Sequence, residues 1–184
     1  MPLPFDTAVF AALNAGPNTP AGVVQLARWL SDGLPQVACG LLAGALAAGR
    51  PSTRRAVALC LASLLVTWCA VHAVRWAFPL PRPAQWGLGV QWIEHGARAG
   101  FPSMHASAAF ALAMALRLAR MERAALAAWA CAVAVAWSRV CLGVHFPSDV
   151  LAGAAAGSLC AWAAFRGLRL WRHPPRHGLA AARH

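Results

Sequence analysis

Five apolar stretches of this chain contain no Asp, Glu, Lys or Arg: Gly33–Gly49, Ala56–Val74, Ala106–Leu116, Ala124–Ser138 and Val150–Phe165. A segment that is apolar all round needs apolar surroundings all round. In a bilayer only a segment that satisfies its own backbone is admitted, and for a single stretch that means an α-helix. Several of the runs fall short of the roughly 20 residues of a simple span. Arginines flank them, and a long basic side chain can lay its stem along a helix while its head reaches the interface. Only 11% of the residues are charged and 60% are hydrophobic, about half the charged share of an ordinary soluble domain. The sequence therefore predicts an all-α, polytopic membrane helix bundle of one domain with five clear transmembrane helices.

The bundle is expected over residues 33–168, after an N-terminal segment, 1–32, and before a basic tail, 169–184. Within the N-terminal segment Phe5–Asn14 and Ala21–Leu30 are moderately apolar, and the string Ala15-Gly16-Pro17-Asn18-Thr19-Pro20 between them is a turn by its composition. Neither half is long enough to cross. Two short helices lying on or dipping into the outer interface are expected, with a sixth full span as the alternative. No cationic opening with a small-residue cleavage site begins the chain, so the spans themselves are expected to direct insertion. The six cysteines, at 39, 60, 69, 131, 141 and 160, lie in or at the ends of apolar runs without a CxxC. They read as small core residues rather than as disulfides or a metal set.

All sixteen basic residues are arginine, and the formal net charge is +11. Such a charge raises the question of nucleic acid, and its distribution argues against it. Arg50, Arg54, Arg55, Arg117, Arg120, Arg123, Arg166, Arg169, Arg172, Arg176 and Arg183 fall on one side of an alternating topology, against Arg28, Arg75, Arg82, Arg98 and Arg139 on the other. The positive-inside rule makes the richer side cytoplasmic. The partner expected there is anionic lipid, and no nucleic acid.

The poorer side carries the chemistry. Polar groups at membrane depth are costly unless paired or used, yet Ser138 ends the fourth apolar run and Arg139, His145, Ser148 and Asp149 lie between it and the fifth. Pro147 suits the first turn of a helix, where its missing N–H loses nothing. If that helix continues, Asp149 stands one turn beyond His145 on the same face. A carboxylate there can accept the Nδ1–H of the imidazole and leave Nε2 free as base or nucleophile. Arg139 supplies a planar cation suited to phosphate or carboxylate. Ser103 is a plausible N-cap for the third run, so the first backbone N–H groups after it, from Met104 and His105, make an anion site. Arg75 closes the second run, and Pro79-Leu80-Pro81-Arg82-Pro83 after it cannot be helix interior. Three guanidiniums brought together repel one another unless a multiply charged anion joins them. Phosphate fits, and bidentate contacts to it strengthen as its oxygens gain charge in a transition state.

Each of these residues also has a plainer reading. Asp149 could be a structural acid paired with Arg139. His105, His145 and Asp149 have the composition of a two-histidine, one-carboxylate metal site, but arginines nearby oppose a cation. His72 reads as a helix-packing histidine, Trp86 and Trp92 as headgroup-belt residues, and Glu94 and His95 as ordinary loop residues.

Taken together, the polar blocks resemble the type 2 phosphatidic acid phosphatase superfamily, whose pattern is K-x6-R-P, then P-S-G-H, then S-R-x5-H-x3-D. The third block is complete as Ser138, Arg139, His145 and Asp149; the second stands as Pro102-Ser103-Met104-His105, and the first as Arg75 with Arg82-Pro83. The blocks and their spans cover residues 56–165. There are two departures. Arg75 replaces lysine, and a guanidinium also holds a phosphate oxygen, though more rigidly. Met104 replaces the commonest glycine, keeping the backbone N–H but adding a side chain that crowds the pocket. That residue, the short length and the small N-terminal elements resemble the bacterial undecaprenyl-diphosphatase-like members.

The resemblance implies that His145 attacks phosphorus and forms a phosphohistidine while Asp149 holds its ring. It implies that His105 protonates the leaving oxygen and then activates water. Arg75, Arg82, Ser103, the Met104 N–H and Arg139 would bind the phosphoryl oxygens, with no metal and no other cofactor. The expected activity is removal of phosphate from a membrane lipid phosphate or diphosphate, undecaprenyl diphosphate foremost, at the outer face of a bacterial inner membrane. Phosphatidic acid, phosphatidylglycerol phosphate and phosphoryl transfer to another lipid are the alternatives among enzymes. Outside enzymes, the alternative is a silent lipid-phosphate binder or transporter. The His145–Asp149 pair with His105 argues against it, since binding alone needs only the arginines.

Overall fold

The computed structural model describes residues 3–94 and 99–172, the last three of them by backbone alone. Its helices are α1 (Pro4–Leu13), α2 (Ala21–Arg28), α3 (Leu34–Ala48), α4 (Pro51–Ala77), α5 (Met104–Leu118), α6 (Glu122–Cys141) and α7 (Pro147–Arg172). A single π-helical turn, Trp29–Gly33, joins α2 to α3, and a short 3₁₀ turn, Pro83–Trp86, follows α4. Proline lies in the first turn of α1, α3 and α4 and opens α7, where its fixed φ suits a helix start.

One sequence expectation changes here. Ala21–Ala48 is one helical segment of 28 residues, not an interfacial helix followed by a separate span. Gly33 does not end it, because breaking backbone hydrogen bonds in apolar surroundings costs more than the roughly 1 kcal/mol of a helical glycine. The π turn absorbs the irregularity instead. α1 remains a separate short helix, as expected, and its chain leaves in extended conformation at Asn14.

Among the described residues four helices are long and apolar enough to cross a membrane, namely Ala21–Ala48, Pro51–Ala77, Glu122–Cys141 and Pro147–Arg169. α5 has 15 residues and so rises only about 22 Å, less than the roughly 30 Å hydrocarbon core. It packs on α4, α6 and α7, so helices rather than lipid surround much of it and its length need not match the bilayer.

The seam between α5 and α7 is built from small residues at four-residue spacing. Ser103, Ser107 and Ala111 approach Gly153 and Gly157, and Ala111 and Ala115 continue into a buried cluster with Ala161 and Ala164. A Cβ on Gly157 would overlap the Ser107 carbonyl oxygen, and one on Gly153 would stand 2.8 Å from the Ser103 carbonyl oxygen. Small residues let backbones meet in this way. Gly157→Ala is therefore expected to push the two helices apart at about 1–3 kcal/mol, the usual toll of overpacking. A lowered thermal midpoint in detergent is the readout; a midpoint equal to wild type would mean that the seam has slack.

The outer surface carries exposed Leu41, Leu65, Trp76, Leu126, Leu151 and Leu159, as lipid-facing helices should. All six cysteines are free, but only Cys60 and Cys141 are buried while Cys39, Cys69 and Cys131 face outward. A thiol is apolar enough for either place. His72 also faces outward instead of packing between helices. Its ring lies 4.3 Å from that of Trp68, and its Nδ1 is 2.9 Å from the Trp68 carbonyl oxygen, so one turn of its own helix serves its polar edge.

Candidate active site

Between α6 and α7 the chain reverses in a tight turn. Gly143 has φ 75°, the left-handed region that a residue with Cβ avoids, and a Cβ there would also run into the Val90 carbonyl. His145 lies in this turn, two residues before α7 begins, rather than on the helix. Asp149 reaches back to it: its Oδ2 stands 3.3 Å from His145 Nδ1 and accepts the Phe146 N–H at 2.9 Å. On the other side of the ring, Nε2 is 3.1 Å from Arg82 Nη1. A guanidinium can only donate. Nε2 is therefore the acceptor, and the ring proton sits on Nδ1, pointing at Asp149.

Arg82 is itself buried, at 2% exposure. It donates to the Val144 carbonyl at 2.8 Å and to the Ala99 carbonyl at 3.3 Å. Burial pushes its pKa down to about 10, with neighbouring Arg75 acting in the same direction and Asp149 against it. It stays a cation at neutral pH, under like-charge strain that an anion would relieve. Gly100 lets this packing happen, because a Cβ there would lie 3.0 Å from Arg82 Cγ and 3.6 Å from Asp149 Oδ2.

The start of α5 joins the same place. Arg75 donates from Nε and Nη2 to the Pro102 carbonyl at 3.2 and 2.8 Å, and the Ser103 N–H donates to the Asp149 carbonyl at 3.0 Å. Ser103 occupies the N-cap position but makes no capping bond with its side chain. Its wholly buried hydroxyl has no hydrogen-bond partner among the described residues. Met104 and His105 follow as the first two residues of α5, both half-buried. Arg139, fully buried, donates to the Ser31 hydroxyl, which donates in turn to Asp32 at 2.8 Å. Ser138 spends its hydroxyl on the Val135 carbonyl at 2.7 Å, so it serves its own helix. Arg82, His145 and Asp149 are thus in contact, and Arg75 and Ser103 reach them through backbone. His95, Arg98, Arg176 and Arg183 lie outside the described residues.

Sequence reasoning passed over the residues that hold this turn in place. Asn14 donates to the carbonyls of Val90 and Cys141, both at 3.0 Å, and accepts the Val90 N–H at 2.7 Å. Trp92, half-buried, also has a packing role: its indole N–H donates to the Ala15 carbonyl at 2.7 Å, its backbone N–H to the Leu142 carbonyl at 3.0 Å, and it packs on the cluster of Ala15, Val24, Ala27, Cys141, Leu142 and Val144. Arg28 donates to the Trp92 carbonyl at 2.7 Å. Asp6 binds Ser148 through both carboxylate oxygens, at 2.8 Å to N–H and 2.6 Å to hydroxyl. The signal available was Asp6 itself, a carboxylate inside an apolar helix of a chain with five acidic residues.

The family model of the PAP2 superfamily matches residues 55–172. The chain is 31% identical over 158 residues to the Escherichia coli (strain K12) protein named "Putative undecaprenyl-diphosphatase YbjG", covering 84% of this chain and 78% of that one. The fold is similar to the crystal structure of Aquifex aeolicus LpxE, with a TM-score of 0.72 at 21% identity over 89% of this chain and 96% of that one. It is also similar to a transmembrane PAP2-type phosphatidylglycerolphosphate phosphatase from Bacillus subtilis, with a TM-score of 0.61 at 19% identity over 94% and 88% of the two chains. A family match across most of the bundle, with a relative this similar along most of both chains, makes this protein a member of the PAP2 superfamily.

Proposed function

We propose that the protein is a membrane lipid phosphatase whose preferred substrate is undecaprenyl diphosphate and whose product is undecaprenyl phosphate. The observation that carries the reading is the His145 ring, with Nδ1 turned to Asp149 and the Nε2 lone pair turned to Arg82. The name of the Escherichia coli relative supports the choice of lipid.

In the reaction, Arg75, Arg82, Arg139, the Ser103 hydroxyl and the Met104 N–H bind the oxygens of the terminal phosphoryl group. Arg82 shifts its Nη1 from Nε2 to a phosphoryl oxygen, which bares the lone pair for in-line attack. The Nε2–P bond forms as the P–O bond to the lipid phosphate breaks, and His105 gives its proton to that departing oxygen. Asp149 stabilises the positive charge that the ring acquires. His105 then takes a proton from water, the oxygen attacks phosphorus, Nε2 leaves, and inorganic phosphate departs. The arginines meet the developing charge already oriented, which is where most of the acceleration arises. The site faces the periplasm, and the arginine-rich ends of the helices meet anionic lipid on the cytoplasmic side.

The test is phosphate release by purified protein from undecaprenyl diphosphate, phosphatidic acid and phosphatidylglycerol phosphate. A tenfold or larger preference in kcat/KM for the diphosphate, about 1.4 kcal/mol, is expected; a preference for a phospholipid phosphate would replace the substrate, and no release from any of them would remove the enzyme. Intact spheroplasts should act on farnesyl diphosphate supplied outside without permeabilisation, and activity only after permeabilisation would reverse the orientation.

A further inference from the structure

We infer that Asp6 is a positioning residue for the His145–Asp149 pair, acting across 142 positions of sequence through the first turn of α7. The inference rests on the phosphatase reading above and adds a residue outside the three sequence blocks.

Consider the donors at the start of α7. A helix begins with backbone N–H groups that its own turns cannot satisfy, and the residue before the helix normally accepts one with a side-chain oxygen. Here that residue is Phe146, which has none, and Pro147 has no N–H to offer. Asp149 accepts the Phe146 N–H with the same oxygen that faces His145 Nδ1. The Ser148 N–H and hydroxyl then remain, one residue from Asp149; Ser148 is half-buried, and Asp149 beside it is 5% exposed. Left unmatched, those donors would compete with the imidazole for the Asp149 carboxylate. Asp6, 4% exposed, takes both of them with separate oxygens.

α1 holds Asp6 there by a second contact on the other side of Pro147. Phe10, one turn further along α1, packs its ring 5.6 Å from that of Phe146, and Asn14 at the end of the same helix is bonded to Cys141 and Val90. Three consecutive turns of the N-terminal segment therefore grip the two residues that flank the helix start and the turn that carries His145. The position of α1 sets the position of Asp149, and Asp149 sets the ring.

The experiment measures kcat and KM of the full chain in detergent on farnesyl diphosphate for wild type, Asp6→Ala, Asp6→Asn, Ser148→Ala, Asp6→Ala with Ser148→Ala, and His145→Ala, with a thermal midpoint for each. Asp6→Ala should lower kcat about 30-fold with KM within about twofold, since misplacing a reacting group by an ångström costs up to about a hundredfold. Asp6→Asn should keep kcat within about threefold, because its amide oxygen still accepts the Ser148 N–H and the hydroxyl can turn to accept from the amide nitrogen. The double variant should fall no further than Asp6→Ala alone, as two ends of one interaction are not additive. Wild-type kcat in Asp6→Ala, a loss in Asp6→Asn as deep as in Asp6→Ala, or multiplied losses in the double variant would each overturn the assignment. If Asp6→Ala does not fold, Ser148→Ala decides, with a fall in kcat at constant KM expected and wild-type kcat overturning. His145→Ala keeps the two ideas apart: activity in that variant sinks the phosphatase mechanism, whereas an inactive His145→Ala beside an unaffected Asp6→Ala sinks only the role of Asp6.

Discussion

Replacing His145 by alanine is expected to lower phosphate release by about 10⁴-fold or more, because the group proposed to form the bond to phosphorus is gone and the remaining site can only bind. Asp149→Asn tests the same step more finely. The side chain keeps its size, but the carboxylate that accepts both the Phe146 N–H and the ring N–H becomes an amide with one acceptor and one donor end. The ring loses the charge that balances its positive intermediate and the bond that holds its tautomer, and kcat should fall about 10³-fold with KM little changed. An acid-labile, base-stable phosphoryl label should appear on wild type during turnover and be absent from His145→Ala. Wild-type activity in either variant, or a label that persists without His145, would remove the proposed nucleophile.

The second large effect is expected at Arg82. Its one guanidinium holds two backbone carbonyls and faces Nε2. Arg82→Lys keeps the charge and loses the fork, since an ammonium is a compact point charge that cannot reproduce these directions at once. A fall of about 10²–10³ in kcat/KM is expected, in line with removing one preorganised donor from a charge-developing site. Arg82→Ala should be inactive and also less stable by about 1–3 kcal/mol, because the carbonyls of Val144 and Ala99 lose a buried donor. A lysine variant with wild-type kcat/KM would mean that only positive charge is required there, and the proposed handover of Nη1 from Nε2 to a phosphoryl oxygen would fall.

Burial and bonding treat the two sides of the site differently. Arg82, Arg139, His145 and Asp149 are nearly or wholly enclosed, while Arg75 and His105 are half-buried. His105, proposed to pass protons to the leaving oxygen and from water, is half-buried, and His145, proposed to form the covalent bond, is enclosed. Enclosure strengthens each electrostatic contact by lowering the local dielectric, and it also makes any unmatched polar atom expensive. Ser103 shows that tension, with a buried hydroxyl that no described residue meets and that a phosphoryl oxygen could.

Much of this protein is written locally. Runs without charge, prolines at helix starts and arginines at one set of helix ends are properties of short windows, so the helical class, the bundle and the motif blocks around Arg75–Pro83, Pro102–His105 and Ser138–Asp149 could be read from residues alone. Tertiary structure decided what depends on distant chain. Ala21–Ala48 runs on as one helix because its backbone has no better partner than itself; Trp92 and Asn14 tie the loop between α4 and α5 to the His145 turn; α5, too short for the bilayer, is surrounded by its neighbours; and α7 receives at its first turn an acid from α1. Hydropathy and propensity report how a residue suits its surroundings on average. They do not report which carboxylate will answer an orphaned N–H on a helix 142 positions away, since that is settled only when the whole bundle closes and sets α1 against the start of α7.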